Sequence, residues 1–156
     1  MEVWSLIEYI RDAVKDNTTL NAWVSDNYGK DRPSISIGYE ENNPPDPSTY
    51  PIITIIPTGQ GRSLADDYGD INIMIGYAIE ESRRFIEANV TTYKGIEMIL
   101  TFRKTVEDIL FATTTDLGGA YCKSADELID ALEAFPYFVN IVNYIYNNPD
   151  RWQPIA

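Results

Sequence analysis

The sequence predicts one α+β domain, a mostly antiparallel β-sheet of about four strands with helices packed on one face. Three stretches carry that prediction. Ile71, Ile73, Ile75, Tyr77 and Ile79 alternate strictly with Asn72, Met74, Gly76 and Ala78, the mark of a strand with one buried and one wetter face. Residues 52–56, bounded by Pro51 and Pro57, are apolar on both sides apart from Thr54, which suits a central strand. With the polar, glycine-containing loop between them, residues 51–81 read as a long-looped β-hairpin. Residues 93–113 place Ile96, Ile99, Leu100, Arg103, Val106 and Leu110 along one side of a helix, with Met98, Phe102 and Ile109 beside them. An arc that wide fits a helix lying across a sheet and touching a second helix or a partner.

The other elements follow in order. Residues 2–15 form an amphipathic helix with Val3, Leu6, Ile7, Ile10 and Val14 on one stripe, widened by Trp4 and Tyr9. One of Asn17, Thr18 and Thr19 caps a short second helix carrying Leu20, Trp23 and Val24. Residues 34–39 alternate Ile35, Ile37 and Tyr39 with Ser34, Ser36 and Gly38, a first strand with one bulky and one small face. Two strands of that texture leave the sheet's second side open, to solvent or to another subunit. Residues 40–50, with three prolines, form a loop without regular structure, and residues 58–69 form a second long loop. Residues 82–92 have no clean period and read equally as strand, turn or helix start. Residues 113–124 are loop around Gly118-Gly119. Ser124-Ala125-Asp126-Glu127 matches a capping box and predicts a short helix to about 134, an extended edge being the alternative. Residues 137–146 are the last strand, and a flexible proline-bearing tail runs from about 147.

Length and charge set the function classes. At 156 residues the chain is one domain able to bury a core. Its net charge of −12, from 24 acidic and 12 basic residues, repels phosphate backbones and anionic lipid, so neither a nucleic acid nor a membrane is expected as a partner. The sequence has no histidine, hence no commonest general base or zinc ligand. Its lone Cys122 makes no intrachain disulfide, which fits a reducing cytoplasm. Gly59-Gln60-Gly61 lacks the Gly-Lys-Ser/Thr ending of a phosphate loop. Asp66, Asp67 and Asp70 cluster without EF-hand spacing. No elbow or triad is present. The expectation is a protein that is not an enzyme and has no catalytic residue, no metal and no cofactor.

What remains points to contacts. Tyr28, Tyr50, Tyr68 and Trp152 are aromatics outside the core periodicity, as interface residues are. Arg83-Arg84 is the only adjacent basic pair and suits a partner's carboxylate.

The layout of amphipathic helix, short helix with Leu20-x-x-Trp23-Val24, three strands with long loops, long helix and final strand resembles the tail terminator proteins of long-tailed bacteriophages, also called tail completion or tail-to-head joining proteins. The resemblance covers nearly the whole chain and rests on layout rather than on a motif. It implies a small α/β domain that assembles as a ring, a hexamer in that family, at the head-proximal end of the tail. There it stops tube growth and joins tail to head. Implied partners are other copies of the chain, the tail tube protein and a head-completion (neck) protein, with DNA only passing through a channel. The implied location is the virion, after assembly in the host cytoplasm. Contacts would fall on the long loops and the basic pair: Tyr50, Gln60, Arg62, Asp66, Asp67, Tyr68, Arg83, Arg84 and Trp152. The small face with Ser36, Gly38, Asn72, Met74 and Gly76 would line the channel, since an acidic lining does not hold DNA. Segments 82–92 and 113–124 are not accounted for by the family pattern. The alternatives are another phage neck protein, an acidic adaptor or inhibitor of one basic partner, and a small metal enzyme built on Asp66, Asp67 and Asp70.

Overall fold

A computed structural model describes residues 1–39, 45–60, 69–112, 117–131 and 135–149, with backbone alone at 60 and 129–131. In chain order the elements are α1 (Val3–Lys15), α2 (Thr18–Tyr28), β1 (Ser34–Ile37), β2 (Ile52–Gln60), β3 (Ile71–Glu80), β4 (Arg84–Glu87), β5 (Val90–Tyr93), α3 (Lys94–Leu110), β6 (Cys122–Ala131) and β7 (Tyr137–Tyr146). The main sheet has five strands, not four, in the order β1-β2-β3-β7-β6. It is mixed: β1 runs parallel to β2 and every other pairing is antiparallel. β4 and β5 form a separate two-stranded hairpin.

The helices lie on one face. Asn17 caps α2 by accepting the Leu20 N–H at 2.9 Å, and Gly29 ends it in the left-handed region at φ 64°. α1 packs on β2, α3 crosses β3 and β7, and both α1 and α2 touch α3. Between the layers lies the core of Leu6, Ile7, Ile10, Ile53, Ile55, Ile73, Ile75, Phe102 and Val106, all sealed from water. Trp23 of α2 stacks on Phe102 of α3 at 5.3 Å. Gly95 in the first turn of α3 lets the helix approach the sheet, since a Cβ there would fall 2.1 Å from the Phe138 ring.

Several expectations change. The capping-box segment is strand β6, hydrogen-bonded along β7, and no helix. Ser124 and Glu127 sit in a ladder in which Cys122 and Ala125 pack against the core, so pairing outweighs a local cap signal. Residues 82–92 supply the β4 strand and most of β5. Residues 47–49 form a 3₁₀ turn capped by Asp46, where no regular structure was expected. Trp4, Tyr9, Ile96 and Leu100, assigned to apolar stripes, stay exposed. At the start of the expected tail, Asn147 and Asn148 are bonded into the fold. Asn147 accepts the Tyr121 N–H at 2.6 Å, and the buried Asn148 accepts from the Met1 amine at 3.0 Å.

Candidate functional site

Register divides the central strands into two faces. Ile53, Ile55, Ile71, Ile73, Ile75, Tyr77, Ile79, Phe138, Val142, Tyr144 and Tyr146 point at the helices and are buried. Their neighbours Thr54, Ile56, Asn72, Met74, Gly76, Ala78, Val139, Ile141 and Ile145 point the other way and are half-buried, with no helix over them among the described residues. Thr54, Ile56, Met74, Gly76, Ala78, Val139 and Ile141, joined by Tyr39, line a shallow apolar hollow of about 310 Å³. A second hollow of about 630 Å³ continues it over β1 and shares Tyr39 and Thr54. Gly76 lies in the floor. A Cβ there would meet only Thr54 Cβ, at 3.8 Å, so packing within the chain does not require glycine. Among the described residues of β2, β3 and β7, Glu80 is the one carboxylate on this face, and it sits at the end of β3. Elsewhere this chain is densely acidic. An apolar patch depleted of charge has the composition of an interface core rather than of a solvated surface.

The β4–β5 hairpin is the second unusual surface. It leaves the sheet just after Glu81 and returns directly into α3. The Lys94 N–H donates to the Arg83 carbonyl at 3.0 Å and closes the base. Arg83 is clamped there by Glu81, through Nε at 2.7 Å, Nη2 at 3.0 Å and its own backbone N–H at 2.9 Å. The guanidinium holds the Glu81 carboxyl below its ordinary range. Tyr93 packs edge-on to Phe135 at 5.4 Å, and Phe135 in turn packs on Phe138. Beyond this base every residue of the hairpin is exposed, including Phe85, Ile86 and Val90 at 56%, 67% and 59%.

A polar network crosses the closed side. Tyr77 and Tyr144 hydroxyls meet at 2.6 Å, Tyr144 donates to Glu107 Oε1 at 2.9 Å, and Arg103 bonds Glu107, Glu127 and Asn140. Because Tyr144 spends its proton on Glu107, Tyr77 is the donor of the pair. Burial drives both phenols well above their ordinary pKa. The network fixes α3 to β6 and β7. Its one cationic member, Arg103, appeared in the sequence only as a polar residue inside an apolar stripe, which was the available signal. Cys122 Sγ donates to the Ser124 carbonyl at 3.2 Å, and burial pushes the thiol up to about 11, away from nucleophilic chemistry.

The expected contact residues divide. Tyr50 packs at a tilt against Tyr137 of the open face, ring centres 5.1 Å apart, and its carbonyl accepts from Lys30 Nζ. Arg83 is spent on Glu81, whereas Arg84 is exposed. Gln60 ends β2, and its side chain lies outside the described residues, as do Arg62, Asp66, Asp67, Tyr68 and Trp152. Asp70 is paired with Lys123 at 2.9 Å, which ties the start of β3 to the start of β6. Among the described residues no group of three His, Cys, Asp or Glu side chains is placed to hold a metal, and no helix is long and apolar enough to cross a membrane. Comparison with known proteins gives no matching family model and no matching curated protein.

Proposed function

We propose that this chain is a structural virion protein that assembles as a ring at the head-proximal end of a phage tail, where it stops tube growth and joins tail to head. The observation that carries self-assembly is the apolar, charge-depleted open face of the sheet. Two copies with a net charge of −12 repel over most of their surfaces, so association is favoured where charge is missing. The assignment to a tail rests on the order of elements and its resemblance to tail terminators. The family's ring is a hexamer, and its flanking partners are the tube protein and a neck protein. The open face is apolar rather than acidic, which suits a subunit contact better than the lining of a DNA channel. The lining role then falls to other surfaces of the ring.

Native mass spectrometry over a range of concentrations tests the reading, together with imaging after addition of tail tubes. A hexamer, even a minor one that grows with concentration, or a ring capping the tube, is the expected result. A strict monomer that also ignores tubes overturns it.

A further inference from the structure

We infer that the β4–β5 hairpin of one copy docks on the open sheet face of the next, so that each protomer gives one surface and receives on the other. The inference rests on the self-assembly reading above and names the contact that builds the assembly.

Three observations support it. A lone two-stranded hairpin is at best marginally stable in water, yet this one forms its ladder with both faces exposed. Phe85, Ile86 and Val90 each leave more than half of their surface in water. The same chain carries the complementary half: a hollow of about 310 Å³ whose floor of Thr54, Gly76 and Ala78 is small-sided and whose rim of Ile56, Met74, Val139 and Ile141 is apolar. Glycine at 76, which internal packing does not require, leaves room for an incoming side chain.

Charge agrees. The hairpin carries exposed Arg84 and Glu87, and its other cation, Arg83, is already paired, so it brings no net negative charge to the contact. Arg84 is the cation available for Glu80 at the end of the receiving face. The hairpin's two four-residue strands, ~4.8 Å apart and rising ~3.3 Å per residue, cover on the order of 130 Å², so they occupy only the part of the open face around the hollow.

The contact joins two different surfaces, so it is heterologous, and repetition closes a ring or extends a filament. A self-complementary dimer through either surface alone would be a different assembly.

The test uses two variants of the full chain. Phe85→Glu with Val90→Glu disables the hairpin, both sites being more than half exposed. Met74→Arg disables the face, with a side chain long enough to reach water. Circular dichroism and melting confirm that both remain folded. Should Met74→Arg fail to fold, Ala78→Lys replaces it. Each variant alone is expected to lose the oligomer, raising the concentration needed for assembly at least about tenfold. Mixed, they are expected to give a 1:1 dimer and nothing larger, because only one intact hairpin meets one intact face. An oligomer that persists in either folded variant, or a mixture that stays monomeric, overturns the hairpin-to-face contact while leaving ring assembly standing. A wild-type chain monomeric at every concentration, with and without tubes, overturns both.

Discussion

The two faces of β3 differ in what they bury and in what they leave undone. On the closed face Ile71, Ile73, Ile75, Tyr77 and Ile79 are wholly excluded from water beneath the helix layer. Burying each such side chain contributes about 1.5–3 kcal/mol. On the open face Met74, Gly76 and Ala78 are half-buried, in a hollow lined by neighbouring strands and Tyr39. The closed face holds the monomer together. The open face is apolar enough to be buried, yet no helix among the described residues covers it. One strand thus divides what the fold seals from what it leaves open, and substitutions on its two sides have different consequences.

The sharpest way to break that separation is a pair one residue apart. Ile73→Asp places an unpaired carboxylate in a sealed core and is expected to cost more than about 4 kcal/mol, enough to unfold a domain of ordinary stability. Met74→Asp is expected to cost about 1 kcal/mol, since its charge reaches water. Urea melts followed by circular dichroism check both. Equal losses would mean that the open face is also core.

The polar network gives the next largest effect. Glu107→Ala leaves Arg103 and Tyr144 without their shared acceptor and is expected to cost about 3 kcal/mol. The double replacement Arg103→Met with Glu107→Leu is expected to recover part of that loss, because it removes the stranded charge as well. Chemical denaturation of both variants decides whether the network is a brace or a source of net stability.

Gly95→Ala tests how closely the helix layer sits on the sheet. Alanine gains about 1 kcal/mol of helix propensity, but its Cβ would lie 2.1 Å from the Phe138 ring, an overpacking that costs about 1–3 kcal/mol. A net loss of about 1 kcal/mol in thermal melts is expected, and Phe138→Leu in the same chain should return it.

The closed face was legible in the sequence because its alternation is unbroken: β3 and β7 carry full period-2 patterns, and both were placed with nearly their observed ends. β6 was not. Its ladder has register shifts between Cys122 and Ser124 and between Glu127 and Ile129, so the period breaks twice within ten residues. The remaining Ser-Ala-Asp-Glu run imitates a helix start. The hairpin was hidden for a different reason. Its turn places Ala88 at φ 54°, where a sequence signal would be glycine or asparagine, and its outward Phe85, Ile86 and Val90 follow no burial rule of the monomer. Strand direction has no sequence period, which is why the parallel pairing of β1 with β2 was not read. On the candidate site, one open side of the sheet was legible; Tyr50 packs against Tyr137 of that side, and Arg84 is exposed on the hairpin. The loop acids and Trp152 lie outside the described residues.

A smaller effect sharpens the open face itself. Gly76→Ala adds a Cβ whose nearest neighbour, Thr54 Cβ, stands at ordinary contact distance, so the monomer should gain about 0.5 kcal/mol from lost chain entropy. If a second copy fills the space above Gly76, the same variant should associate more weakly. A melt that rises while assembly falls would show that this glycine is set by the partner and not by the fold.

The smallest effect concerns the hairpin base. Glu81 is held below the ordinary carboxyl range by Arg83, so its contribution is complete above the unfolded value of about 4.3 and is lost as pH falls through the lower folded value. Arg83 is half exposed, and solvent screening leaves the contribution small. That is too little to move a global melt, yet it acts on an element held only at its base. In acid the Arg83 amide resonance, whose N–H donates to Glu81 Oε1 at 2.9 Å, should shift together with those of residues 84–93 while β3 amides stay fixed. Glu81→Gln should show the shifted hairpin spectrum at neutral pH. A hairpin unmoved by either change would place its anchor in the Tyr93–Phe135–Phe138 rings instead of the ion pair.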